Sequence, residues 1–155
     1  MRINNKKAHH DNFVTPKLNF KQCQKIWHTK CNLDVCATKE SSMCGRYFYD
    51  KKDDGLFQSW KGYIVWCNPP HSQTKKWIIK AFQEWNDHNI KIVMLIPINC
   101  MTANYFKAFA LPWIEFKKEM ILSRIRFLNP KSLKPSKFNS VNGYVTIFYN
   151  KRKKN

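Results

Sequence analysis

The sequence predicts an α/β domain, a mostly parallel sheet with helices on both faces and an antiparallel C-terminal edge. Three observations carry that expectation. The apolar runs 63–67 and 90–96 are short, rich in β-branched and aromatic residues, and stopped by prolines, as buried strands are. Around them lie segments with apolar residues at helical spacing, and strands alternating with helices argue for a parallel sheet. In the last third, residues 113–116, 121–127 and 144–149 are strand-like without long helices between them, which places them on an antiparallel edge.

The chain of 155 residues suits one domain with a sizeable core, and no internal repeat divides it. A content of 43% apolar and 15% aromatic residues excludes a disordered protein. The formal charge of +18 favours a polyanionic partner, and the aromatic content adds faces on which bases can stack. No segment approaches the roughly 18 apolar residues of a membrane span, so no membrane partner is expected. The first ten residues are polar and basic, with no apolar core of a signal peptide, which predicts an intracellular, cytoplasmic protein. Six cysteines then read as reduced thiols.

Residues 1–12 read as a flexible basic arm. Pro16 suits the first position of a helix whose apolar face is Leu18, Phe20, Cys23 and Trp27. Residues 32–37 form a short buried strand with Asp34 near its end, where a carboxylate is either a helix cap for the next segment or a ligand for a cationic or hydroxylated group. Tyr47, Phe48 and Tyr49 make a very short strand, and Asp50 and Asp53 read as a solvated turn. Asp54 and Gly55 form a tight turn leading to Trp60 and the strand 63–67. After that strand, Ser72 is placed to cap a helix with Trp77, Ile78, Ala81, Phe82 and Trp85 on one face, stopped at Asn89. Another helix starts at Thr102 after the strand 90–96, with Tyr105, Phe106 and Phe109 inward. Residues 131–141 are a basic loop, and 151–155 a basic tail.

The chemistry concentrates at Asn68-Pro69-Pro70-His71, directly after the strand 63–67. Two prolines have no amide donors and fix φ, so they stop the strand in a rigid turn. The four letters alone also describe an ordinary proline stop. In a functional turn the Asn68 side-chain oxygen and the Pro69 carbonyl point at one amino group, with the His71 ring beside them. Two fixed acceptors and a stacking ring suit an exocyclic base nitrogen.

That turn resembles motif IV of amino-group DNA methyltransferases, and further stretches are similar, in order, to the phage-type N6-adenine DNA methyltransferase family. They are Thr15-Pro16, Leu33-Asp34-Val35-Cys36-Ala37, Asp54-Gly55-Leu56 with Trp60, Asn68-Pro69-Pro70-His71, Trp77-Ile78-Ile79-Lys80-Ala81, Leu95-Ile96-Pro97 and Arg124-Ile125-Arg126-Phe127. The resemblance implies a Rossmann-like methyltransferase fold over residues 13–150, S-adenosylmethionine as methyl donor, and the N6 amino group of adenine in DNA as acceptor. It implies that Thr15, Pro16, Asp34 and Asp54 bind the cofactor, and that Asn68, Pro69, Pro70 and His71 hold the target base. Arg124 lies near the DNA by the same resemblance, and Arg126, Lys131 and Lys134 are the basic residues expected beside it. Two departures stand out. Cys36-Ala37-Thr38 occupies the place of the usual glycine-rich loop, and His71 replaces the usual Tyr, bringing a ring that can carry charge near neutral pH.

Two rivals are weighed beside this reading. One is a decayed methyltransferase that binds nucleic acid without catalysis. The other is a zinc protein built on His28, Cys31, Cys36 and Cys44, whose spacings contain no Cys-x2-Cys pair; no metal is expected. With no evident target-recognition domain, specificity is expected from loops, the basic tail, a protein partner or a homodimer.

Overall fold

A computed structural model describes residues 14–48, 54–136 and 143–154. The basic arm 1–12, Tyr49, Asp50, Asp53 and part of the basic loop lie outside the described residues. Six strands form one sheet: β1 (Leu33–Asp34), β2 (Arg46–Tyr47), β3 (Ile64–Cys67), β4 (Lys91–Pro97), β5 (Ile121–Leu122) and β6 (Tyr144–Tyr149), in the order β2-β1-β3-β4-β6-β5. The pairs β1/β2, β1/β3 and β3/β4 are parallel, and β6 runs antiparallel to both β4 and β5. This is the α/β, methyltransferase-like arrangement expected.

Helices cover both faces, and the pleat of β6 shows which. Successive side chains of a strand point to opposite faces. Thr146 accepts a hydrogen bond from Trp27 Nε1 (3.0 Å), and Phe148 stacks on the Trp27 ring, so the even positions face α1 (Lys17–Ile26). Tyr149 instead contacts Trp85 of α2 (Thr74–His88) and donates its hydroxyl to the Phe109 carbonyl of α3 (Asn104–Phe109) at 2.7 Å. With both faces covered, every residue of β6 is buried, as are Ile92 to Ile96 of β4.

Several elements differ from expectation for identifiable reasons. Leu18 is 78% exposed, because it lies two residues, about 200°, from Phe20 on a helix of 3.6 residues per turn. Phe20, Cys23 and Trp27 do form the buried face. The ladder of β1 has two residues, although Asn32 and Val35 still donate to the Ile64 and Trp66 carbonyls on either side of it. Ahead of α2, His71–Gln73 form a 3₁₀ turn and the Thr74 hydroxyl donates to the His71 carbonyl, so the helix starts at Thr74 without a side-chain cap. Asn89 ends it in the left-handed conformation, φ 49°. A 3₁₀ turn also occupies Ile98–Thr102, and α3 begins only at Asn104. Residues 113–116 are not a strand: Trp113 and Ile114 donate to the Ala110 carbonyl, prolonging the turn after α3. The antiparallel C-terminal strand β6 lies inside the sheet, and the short β5 forms the edge.

Candidate active site

Register brings the two chemistry-bearing strand ends together. Asp34 of β1 pairs with Trp66 of β3, so the turn two residues beyond Trp66 stands beside the Asp34 carboxyl. Such a carboxyl end is where open α/β sheets bind ligands. The segment before α1 closes the third side, where Asn68 Nδ2 donates to Thr15 Oγ1 at 2.8 Å. That bond orients the carboxamide and makes Oδ1 its accepting end. Thr15, Asp34 and Asn68, with Val14, Cys36, Ser41, Met43 and Trp66, line one open cleft, with about 250 Å³ of empty space when the adjoining solvent is included.

Asp34 is the one acid among the described residues of that lining, and it is 3% exposed. Its Oδ2 accepts from the Met43 N–H at 3.0 Å and its Oδ1 from the Cys36 N–H at 3.3 Å. Burial pushes its pKa up to about 6, against the pull of those two bonds. The loop that supplies Met43 is braced without glycine: Thr38 and Ser41 exchange side-chain and backbone bonds, and Ser42 N–H donates to the Thr38 carbonyl. A neighbouring loop makes a close approach of its own to this strand end. A Cβ on Gly55 would lie 2.1 Å from the Val35 carbonyl oxygen, so only glycine seats that loop on the end of β1. Asp54 is not among the cleft side chains; its Oδ1 accepts from the Leu56 N–H at 3.0 Å and closes the Gly55 turn. Pro16 precedes α1, with its carbonyl accepting from Asn19 and Phe20.

In the motif turn, the Pro70 carbonyl accepts from the Gln73 N–H, and the Pro69 carbonyl takes part in none of the described backbone bonds. His71 Nε2 lies 3.2 Å from the Tyr144 hydroxyl, and its ring meets Tyr144 and Phe127 at centroid distances of 5.6 and 6.0 Å. Tyr144 and Phe127 thus set the orientation of the His71 ring. Sequence reasoning saw Tyr144 only as a strand residue. The antiparallel register that pairs it with Pro97 carries it to this end of the sheet, and no local pattern encodes that.

Arg124, Arg126, Lys131 and Lys134 are all exposed, and none is ion-paired among the described residues. Arg124 and Arg126 alternate with buried Ile125 and Phe127 on an extended segment. It leads into a tight hairpin in which Leu128 bridges both Val14 and Pro135. The basic tail goes elsewhere. Arg152 donates to the Asn86 carbonyl (2.7 Å) and stacks over Trp85, at the opposite end of the sheet. His28 and the cysteines bring no set of three metal-binding side chains together among the described residues. Cys31 Sγ instead donates to the Val65 carbonyl, and burial pushes the Cys44 thiol up to about 12. No described helix is long and apolar enough to cross a membrane.

A mixed sheet with a cleft at its carboxyl end, lined there by the Asn68 that opens a rigid Asn-Pro-Pro turn, defines a methyltransferase-like α/β enzyme. The family model described as DNA N-6-adenine-methyltransferase (Dam) matches residues 2–155, and the chain belongs to that family. It is 27% identical over 129 residues to the DNA N-6-adenine-methyltransferase of Haemophilus phage HP1 (strain HP1c1), covering 81% of this chain and 71% of that protein. Over 80 residues it is 35% identical to the enzyme of the same name from Escherichia phage T1, covering 51% of this chain and 33% of the relative.

Proposed function

We propose that the protein transfers a methyl group from S-adenosylmethionine to the N6 amino group of adenine in DNA. The observation that carries this reading is the Thr15–Asn68 hydrogen bond, which joins the motif turn to the cleft containing Asp34. That cleft suits the donor in charge: a buried carboxylate whose oxygens keep lone pairs beyond the Cys36 and Met43 bonds complements a cation bearing amino and hydroxyl groups. S-adenosylmethionine, when bound, supplies an electrophilic methyl group on a sulfonium sulfur. Thr15, Pro16 and Asp34 are the residues that hold it; Asp54 acts on it indirectly by seating the Gly55 turn.

The acceptor nitrogen of a paired adenine is enclosed in the duplex, so the base must leave the stack. Asn68 Oδ1 and the Pro69 carbonyl then accept hydrogen bonds from its two amino hydrogens and turn the nitrogen lone pair toward the methyl group. His71, braced by Tyr144 and Phe127, offers a ring face to the base. Holding both reactants in line supplies most of the acceleration. Arg124, Arg126, Lys131 and Lys134 carry the DNA backbone beside the site.

Incubation with DNA and labelled S-adenosylmethionine, followed by nucleoside mass spectrometry, should yield N6-methyladenine and no N4-methylcytosine. Asn68→Ala should lose about a hundredfold to a thousandfold in rate, as when one transition-state hydrogen bond is removed in other enzymes. Donor affinity by calorimetry should stay nearly unchanged. Equal loss of affinity and rate would contradict the role given to Asn68.

A further inference from the structure

Exposed apolar surface in this chain is gathered on one edge of the sheet. Of the seven large apolar side chains that are exposed among the described residues, four fall within residues 111–121: Leu111 (40%), Trp113 (44%), Phe116 (58%) and Ile121 (58%). The topology explains the grouping. Glu115 N–H donates to the Phe148 carbonyl at 3.0 Å and Ile121 pairs with Val145, so residues 115–122 run beside β6 as the outermost strip of the sheet. Leu111 and Trp113 lie in the turn that leads from α3 into that strip, with the Trp113 ring against Phe82 and Trp85 of α2. The same stretch is electrically balanced. Residues 111–121 hold two acids, Glu115 and Glu119, and two lysines, Lys117 and Lys118, in a chain of formal charge +18. The Lys117 ammonium is turned inward, onto the Ile26 carbonyl and the Trp27 ring. A large like charge keeps copies of a protein apart, so this neutral edge is where a second copy meets the least repulsion.

We infer that the edge formed by residues 111–122 binds a second copy of this chain. Together the four side chains offer roughly 300–400 Å² of apolar surface, the size at which an exposed patch marks an interaction site. A standard interface covers about 800 Å² per partner, so this association belongs to the weak, concentration-dependent class. The charge balance selects the occupant. A polyanion gains nothing from a strip whose charges sum to zero, whereas an identical strip matches it in both charge and apolarity. Two-fold pairing of identical surfaces is also the commonest closed arrangement. The chain passes from Leu122 to Arg124 in two residues, on the order of 7 Å, so the dimer sets the cationic segment of each copy beside the interface. The inference goes beyond the adenine-transfer reading and does not depend on it.

The test uses the full chain without DNA, in sedimentation equilibrium from about 2 to 200 μM. The average mass should climb from monomer toward dimer over that range. Association should tighten roughly threefold or more between about 0.1 and 0.5 M salt, as repulsion between the cationic bodies is screened. Phe116→Lys combined with Ile121→Lys should weaken it about tenfold or more, because the interface then has to bury unpaired charge. Both positions are exposed, so the melting temperature of that variant should stay within about 2–4 °C of the wild type. Phe116→Leu combined with Ile121→Val should keep most of the association. Phe57→Lys should leave it unchanged, since Phe57 is exposed on the loop seated at the end of β1, across the sheet from β5. A wild type that stays monomeric throughout overturns the proposal and leaves the edge to a partner of different sequence. A dimer that the two lysines do not disturb, that Phe57→Lys weakens equally, or that loosens with salt overturns it as well.

Discussion

Asp34 has two hydrogen bonds but little water, and its burial sets a testable pH response. Its pKa in the folded protein is raised to about 6 from an ordinary 3.8, so its contribution to stability is complete below the unfolded value and is lost as pH rises through about 6. Relative to Asp34→Asn, the wild type should therefore be most stable near pH 4 and should lose that margin by pH 7.5. Thermal melts of both proteins across that range check it, and a margin growing with pH would refute it. Ligand binding should run the other way, since a cation favours the ionised carboxylate. S-adenosylmethionine affinity should rise between pH 5 and 7.5 in the wild type and stay flat in Asp34→Asn. An affinity flat in both would remove Asp34 from the ligand.

At the scale of elements, α2 controls the Gly55 loop that is seated on the end of β1. Glu84, on the buried face of the helix, accepts from the Trp60 N–H at 2.8 Å and pairs with Lys80 and His88. Trp60 in turn donates its indole N–H to the Gly55 carbonyl at 2.9 Å, holding Gly55 against the end of β1. Glu84→Ala leaves the buried Trp60 amide without its acceptor, which costs about 1–3 kcal/mol. For a chain of this size the melting temperature should drop by roughly 2–12 °C. A variant melting within a degree of the wild type would show that the loop is held by packing alone.

Across the whole molecule, charge is not spent evenly. The tail residue Arg152 serves α2, roughly 20 Å from the motif turn along the seven residues of β4. The exposed cations Arg124, Arg126, Lys131 and Lys134 lie instead between β5 and Pro135, on the segment that passes beside Val14 at Leu128 and on the hairpin that follows. DNA affinity should fall about a thousandfold between 50 and 200 mM salt if roughly six phosphates are contacted. Removing Lys131 and Lys134 together should lower the slope of log affinity against log salt by about two, at roughly 0.9 per contact. Arg152→Ala should leave it unchanged. Binding titrations at three salt concentrations decide, and a slope altered only by Arg152→Ala would move the DNA to the other end of the sheet.

What the sequence alone determined is local. Proline stops, β-branched runs and helical spacing located β3, β4, β6 and α2, and the turn of Asn68 to His71 was legible because two prolines leave the backbone few alternatives. Ordered short motifs were enough to indicate the family. Side chains whose neighbours are distant in the chain were not legible. Glu84 reads as a surface acid until Trp60 is seen to need an acceptor. Tyr144 becomes part of the site only because β6 enters the sheet antiparallel, between β4 and β5. The cleft itself is a product of register: Asp34, Asn68 and Thr15 are separated by 19 to 53 positions and meet only when β1 pairs beside β3 and the segment before α1 folds over both. Local propensity acts over a few residues, whereas a binding site depends on which strand ends become neighbours, and burial of the whole core decides that.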